Sequence, residues 1–226
     1  MFFFDSTMIL IIPVLILAFY AQSKVKGNYE KFKRVQNSAN VTGAEVAEEI
    51  LHREGIFDVK IVDIEGTLSD HYNPKTKEVS LSKDIFFGSS ISAISIAAHE
   101  VGHAIQHAKG YSFLNFRTSI VPLANIGSTA AFPLFFIGFL FRTGFLMDLG
   151  IIFFSGAFLF HLITLPVEFN ASNRAFKQLS NGIVHNDEEM KGVKAVLNAA
   201  ALTYVASTLM ALMQLVRMLI LRGSRN

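Results

Sequence analysis

SIAAHEVGHAIQHAK, residues 95–109, is the stretch from which the rest of the chain is read. Residues four apart on a helix are separated by about 400° of rotation, so His99 and His103 leave one face and can grip one ion, with Glu100 beside them. This is the HExxH arrangement of zinc hydrolases, two imidazoles for the metal and a glutamate to act as base. The surroundings are helical. Ile91, Ile94, Ile96, Ala97, Ala98 and Ala104 are apolar, Ser89 or Ser90 offers an N-cap, and Gly110 supplies a stop, which predicts a helix of about five turns. The bland alternative is an amphipathic helix with two ordinary histidines, but packing alone gives no reason for a histidine pair at metal spacing around a carboxylate.

Composition narrows the chemistry. Of 226 residues 51% are hydrophobic and only 17% charged, with 22 Phe, a balance that points to the membrane. The absence of cysteine excludes disulfides, thiolate zinc sites and a Cys nucleophile, so any metal must be held by His and carboxylate. Net charge is +2 with no basic stripe or nucleic-acid motif, and nucleic acid is not expected as a partner.

The apolar run from Met8 to Ala21 becomes long enough to span with the preceding Phe residues. It is followed, not preceded, by basic residues (Lys24, Lys26, Lys31, Lys33 and Arg34) and has no convincing cleavage site, which favours a retained anchor at 1–21 over a signal peptide. The same asymmetry places the segment after the anchor in the cytoplasm. Residues 22–118 read as a cytoplasmic α+β domain. Thr42 with Glu45 forms a capping box for a helix that Gly55 ends, Val59 to Ile64 alternates like a strand, and Thr67 to Tyr72 and Glu78 to Ser82 flank an Asn-Pro-Lys turn. Residues 119–167 hold two charge-poor segments, Ser119 to Phe141 and Phe145 to Val167, each long enough to cross about 30 Å of hydrocarbon. They form a transmembrane hairpin. Residues 168–194 return to the cytoplasm, and 195–226 hold a last helix, transmembrane or membrane-associated, that Gln214 and Arg217 interrupt. Arg217, Arg222 and Arg225 there fall on the outer side, against the charge rule. The fold class expected is a mainly α, multi-pass membrane protein with a small cytoplasmic α+β, zincin-like catalytic domain.

Catalytic zinc wants three protein ligands and an open position. The longer HExxHxxGxxH motif is excluded, because Gln106 stands at the Gly and Lys109 at the His. His107 lies about 6 Å along the axis from His103 and is rotated away. Between Glu100 and Glu168 the one acid is Asp148, which the two-span hairpin sends to the opposite side. Glu168 is returned by that hairpin to the side of the histidines, either as third ligand or as a marker of the membrane boundary. His161 lies about 10 Å deeper on the same helix and could join only through a break at Pro166.

These residues resemble a family. HEVGHAIQHAKGY, the DHYNP and VSLS hairpin, LPVEFNAS and AALTYVAS, spread from about Tyr29 to about Leu221, are similar to the YugP-like membrane zinc metallopeptidases. The resemblance implies a membrane-embedded HExxH peptidase, gluzincin-like, with one Zn2+ per chain on His99, His103 and Glu168 and with Glu100 as the catalytic acid. Asn170 stands where the family commonly has Asp, which leaves a hydrogen-bonding group without the charge.

The expected activity is hydrolysis of peptide bonds, Glu100 taking the proton of a zinc-activated water. His71, Tyr72 and Arg174 are candidates to steady the oxyanion, Asn170 to orient a ligand, and the strand Glu78 to Ser82 to take an extended substrate along its edge. The partners expected are a peptide or membrane-protein substrate and the lipid bilayer, at the plasma membrane. The rival class is a non-catalytic metal-binding scaffold or a transporter. A structural zinc would want four protein ligands and no base, and a transporter would want more polar residues in its spans.

Overall fold

The computed structural model describes residues 6–224. The first five residues of the expected anchor, and Arg225, lie outside the described residues. A 3-10 turn, Ser6–Leu10, leads into α1 (Ile11–Lys33), α2 (Gly43–Arg53), β1 (Lys60–Ile64), β2 (His71–Asn73), β3 (Glu78–Ser82) and α3 (Lys83–Phe86). Then come α4 (Ile91–Ala108), α5 (Ser112–Leu140), α6 (Gly144–Ser180) and α7 (Asp187–Gly223). The described residues thus form a mainly helical protein with one small sheet. Four helical stretches, residues 6–33, α5, α6 and α7, are long and apolar enough to cross a membrane.

The chain divides into two compact units. The first, Gln22–Leu114 with Val167–Leu202, is organised by local signals. Thr42 Oγ1 accepts from the Glu45 amide at 3.2 Å while Glu45 Oε2 accepts from the Thr42 amide at 2.7 Å, so each satisfies a donor the helix start leaves open. The stripe this creates on α2, Val46, Ala47, Ile50 and Leu51, is buried. Ser90 Oγ caps α4 by accepting from the Ala93 amide at 3.2 Å. The sheet has the order β1-β3-β2, with β1 parallel and β2 antiparallel to β3. Asp70 fixes the β2–β3 hairpin by accepting from the Ser82 amide at 2.7 Å and its hydroxyl at 3.0 Å. Val79 and Leu81 of β3 enter one core with Ile50, Ile85, Ile94 and Ile105, joined by Leu179 of α6 and Val193 and Leu197 of α7.

Two expectations change here. The strand Glu78–Ser82 is central, paired on both sides, so it cannot take a substrate along an edge; the edges are β1 and β2. The helices also outrun the apolar segments read from the sequence. α5 begins at Ser112, and α6 runs through Pro166 and Glu168 to Ser180 without a break.

The second unit, Met1–Ala21, Asn115–Pro166 and Thr203–Asn226, is built from the apolar helices. α5 and α6 approach closely at glycine: a Cβ at Gly150 would lie 2.8 Å from the Ala131 carbonyl oxygen. Arg222 grips Asp148 with two nitrogens, at 2.8 and 3.1 Å, which gives a partner to the arginine that the charge rule leaves misplaced. Arg217 Nε donates to Thr7 Oγ1 at 3.1 Å.

Candidate metal centre

α4 is buried over nearly its whole length, and Gly102 is the reason α6 can lie against it at the histidine pair. A Cβ at position 102 would sit 2.7 Å from the Ala171 carbonyl oxygen, so only a residue without one allows this approach. The close contact sets Glu168, one turn before Ser172, opposite the two imidazoles. Glu168 Oε2 lies 3.3 Å from His99 Nε2 and 3.5 Å from His103 Nε2, and the two rings stand edge to face with centroids 4.9 Å apart. One ligand atom from each of the three residues lies within 4.8 Å of the others, and all three side chains are buried.

Removing a carboxylate from water beside two basic rings calls for a shared cation, either a proton or a metal ion. Burial pushes the His103 imidazole down, but the hydrogen bond and charge of Glu168, the charge of Glu100 and the bond to Gln106 outweigh it, and the net shift is upward. The donor set of two imidazole nitrogens and one carboxylate oxygen, without thiolate, fits zinc. Glu100, buried on the next position of α4, has no side-chain hydrogen bond or ion pair among the described residues, which leaves its carboxylate available.

The remaining residues singled out from the sequence fall around or away from this cluster. Asn170 Oδ1 accepts from Arg174 Nε at 2.8 Å and from Gln106 Nε2 at 3.0 Å. Tyr72 holds its hydroxyl 2.8 Å from His107 Nδ1; burial, then the charge of Asp58, raise its pKa to about 12, so the phenol keeps its proton. His71 is exposed on β2, its Nδ1 2.9 Å from the Ser69 carbonyl oxygen, and is not part of the cluster. Nor is His161, which belongs to the other unit.

Two residues at the centre are not legible from sequence as site residues. Gln106 Oε1 lies 3.0 Å from His103 Nδ1, and Ser172 Oγ 3.2 Å from His99 Nδ1. The available signal is spacing, Gln106 three residues after His103 and Ser172 four after Glu168.

Fold and site together define a class, a membrane protein with a buried two-histidine, one-carboxylate centre of the zinc type. The chain belongs to the family described as "putative neutral zinc metallopeptidase", which it matches over residues 7–223. It is 51% identical over 218 residues, 95% of this chain and 96% of the relative, to the Bacillus subtilis (strain 168) protein named "Putative membrane protease YugP". No solved structure matches it.

Proposed function

We propose that the chain is a membrane-embedded zinc metalloendopeptidase of the HExxH type, with one zinc ion per chain on His99, His103 and Glu168. The observation that carries this is the convergence of both Nε2 atoms on one buried carboxylate oxygen, at 3.3 and 3.5 Å. Held by His99, His103 and Glu168, zinc would supply Lewis acidity, lowering the pKa of a water toward about 7 and polarising the scissile carbonyl. Glu100 would serve as the base: its carboxylate takes a proton from the attacking water as the oxygen bonds to the carbonyl carbon, then delivers that proton to the amine nitrogen as the C–N bond breaks. Tyr72 is a donor suited to the developing oxyanion, because its phenol stays protonated at physiological pH. An extended substrate would add at β2, the edge strand that carries Tyr72, rather than at central β3.

The site faces the cytoplasm in this reading. The supporting observation is the basic run Lys24 to Arg34 after the first apolar segment, with Arg174, Lys177, Lys191 and Lys194 after the third. Substrates are then membrane proteins or their loose ends at the inner face of the plasma membrane, a role in membrane protein quality control.

The test compares wild type with Glu100→Gln, purified in detergent, for zinc content and cleavage of a denatured membrane protein. The expected result is about one zinc per chain in both and hydrolysis in the wild type alone. A Glu100→Gln protein that cleaved at the normal rate would remove Glu100 from its role.

A further inference from the structure

A hydrogen-bonded chain behind His103 is used neither by the ligand set nor by the base. Gln106 has 0% of its surface exposed, and a buried amide in a helix core is costly unless every polar atom is matched. Its Oε1 lies 3.0 Å from His103 Nδ1. Its Nε2 lies 2.7 Å from the Val167 carbonyl oxygen and 3.0 Å from Asn170 Oδ1, and Arg174 Nε donates to that same Asn170 oxygen at 2.8 Å.

The directions of these bonds are set by chemistry. A backbone carbonyl can only accept, so the amide nitrogen must face Val167 and the amide oxygen must face the imidazole. That oxygen has no proton to give. His103 Nδ1 therefore carries the hydrogen, and Nε2 is left to face Glu168 Oε2, 3.5 Å away, across the position of the shared cation. Ser172 behind His99 makes no such demand, since a hydroxyl can donate or accept.

We infer that Gln106 is a positioning residue of the metal centre: it locks His103 in the Nδ1–H tautomer and ties the ring to the α6 backbone one residue before Glu168. The inference rests on the reading of His99, His103 and Glu168 as a zinc site. Asn170 completes it by accepting the second amide hydrogen on the oxygen to which Arg174 Nε also donates, so the ring orientation and the placement of the third ligand are set by one side chain. A neutral Asn serves here because its oxygen is required only to accept.

Full-length wild type, Gln106→Met, Asn170→Ala and His103→Ala, purified in detergent and stripped of metal, are titrated with zinc against a chromogenic chelator. The hydrogen on His103 Nδ1 in the zinc-free proteins is read by 15N NMR. The expected Gln106→Met protein binds zinc about 10–100-fold more weakly than wild type, and its His103 signal moves from the Nδ1–H form to a mixture. Methionine fills a similar volume, so a role in packing alone would leave the tautomer unmoved. Asn170→Ala keeps the contact of Gln106 with His103, so a smaller loss of affinity with the Nδ1–H form retained is expected. Should Gln106→Met not fold, a wild-type Kd in Asn170→Ala overturns the inference. Wild-type affinity and tautomer in Gln106→Met, with zinc still lost in His103→Ala, overturn it and leave the zinc site standing. Equal zinc binding by wild type and His103→Ala overturns both.

Discussion

Ser172 sets its hydroxyl 3.2 Å from His99 Nδ1, so the two imidazoles lean on different supports, one from α6 and one from α4. Removing the hydroxyl in Ser172→Ala is expected to weaken zinc binding by about tenfold while leaving one site per chain, measured by chelator competition. At this scale the sequence speaks unevenly. His99, Glu100 and His103 announce themselves because one helix fixes their geometry, and Glu168 stands out because an acid at the end of an apolar run needs a partner. Gln106 and Ser172 carry no such mark: a polar residue in a helix shows its purpose only when a second helix is laid against it. In the sequence Gln106 stands out only for the glycine it replaces in a longer motif, not for the proton it keeps on His103.

Helix ends and helix contacts divide along the same physical line. The caps of α2 and α4 are written in residues three apart, Thr42 with Glu45 and Ser90 with the Ala93 amide, and are readable. The length of α5, α6 and α1 is not, because an apolar run measures the thickness of lipid while a helix continues as long as its hydrogen bonds do. Strand order is also hidden: two strands joined by a tight turn reveal their own pairing, but not that β1 adds in parallel to the far side of β3. At the site α4 approaches α6 closely at Gly102. A methyl group there meets the Ala171 carbonyl oxygen at 2.7 Å, and forcing the helices apart costs about 1–3 kcal/mol. Gly102→Ala is expected to lower the thermal midpoint in detergent and to reduce bound zinc, because the displaced α6 carries Glu168. An unchanged midpoint and full zinc content would show that the approach is not what sets Glu168 in place.

The whole chain has no cysteine, which makes its topology directly measurable with single introduced thiols. Lys75, in the exposed turn between β2 and β3, and Arg142, exposed between α5 and α6, are the informative positions. In intact cells a membrane-impermeant thiol reagent is expected to label Arg142→Cys, and to label Lys75→Cys only after permeabilisation. The reverse pattern would put the histidines outside. Four apolar helices are legible from hydropathy, and the ion pair of Arg222 with Asp148 is a partnership between helices that hydropathy does not show. What the molecule depends on most is that α6 returns a carboxylate to α4. The direct measurement is zinc per chain by atomic emission in detergent-purified wild type and Glu168→Ala, each dialysed at the same free zinc. About one zinc in the wild type and a loss of most of it in Glu168→Ala is the expected result, and equal zinc in the two proteins contradicts the account.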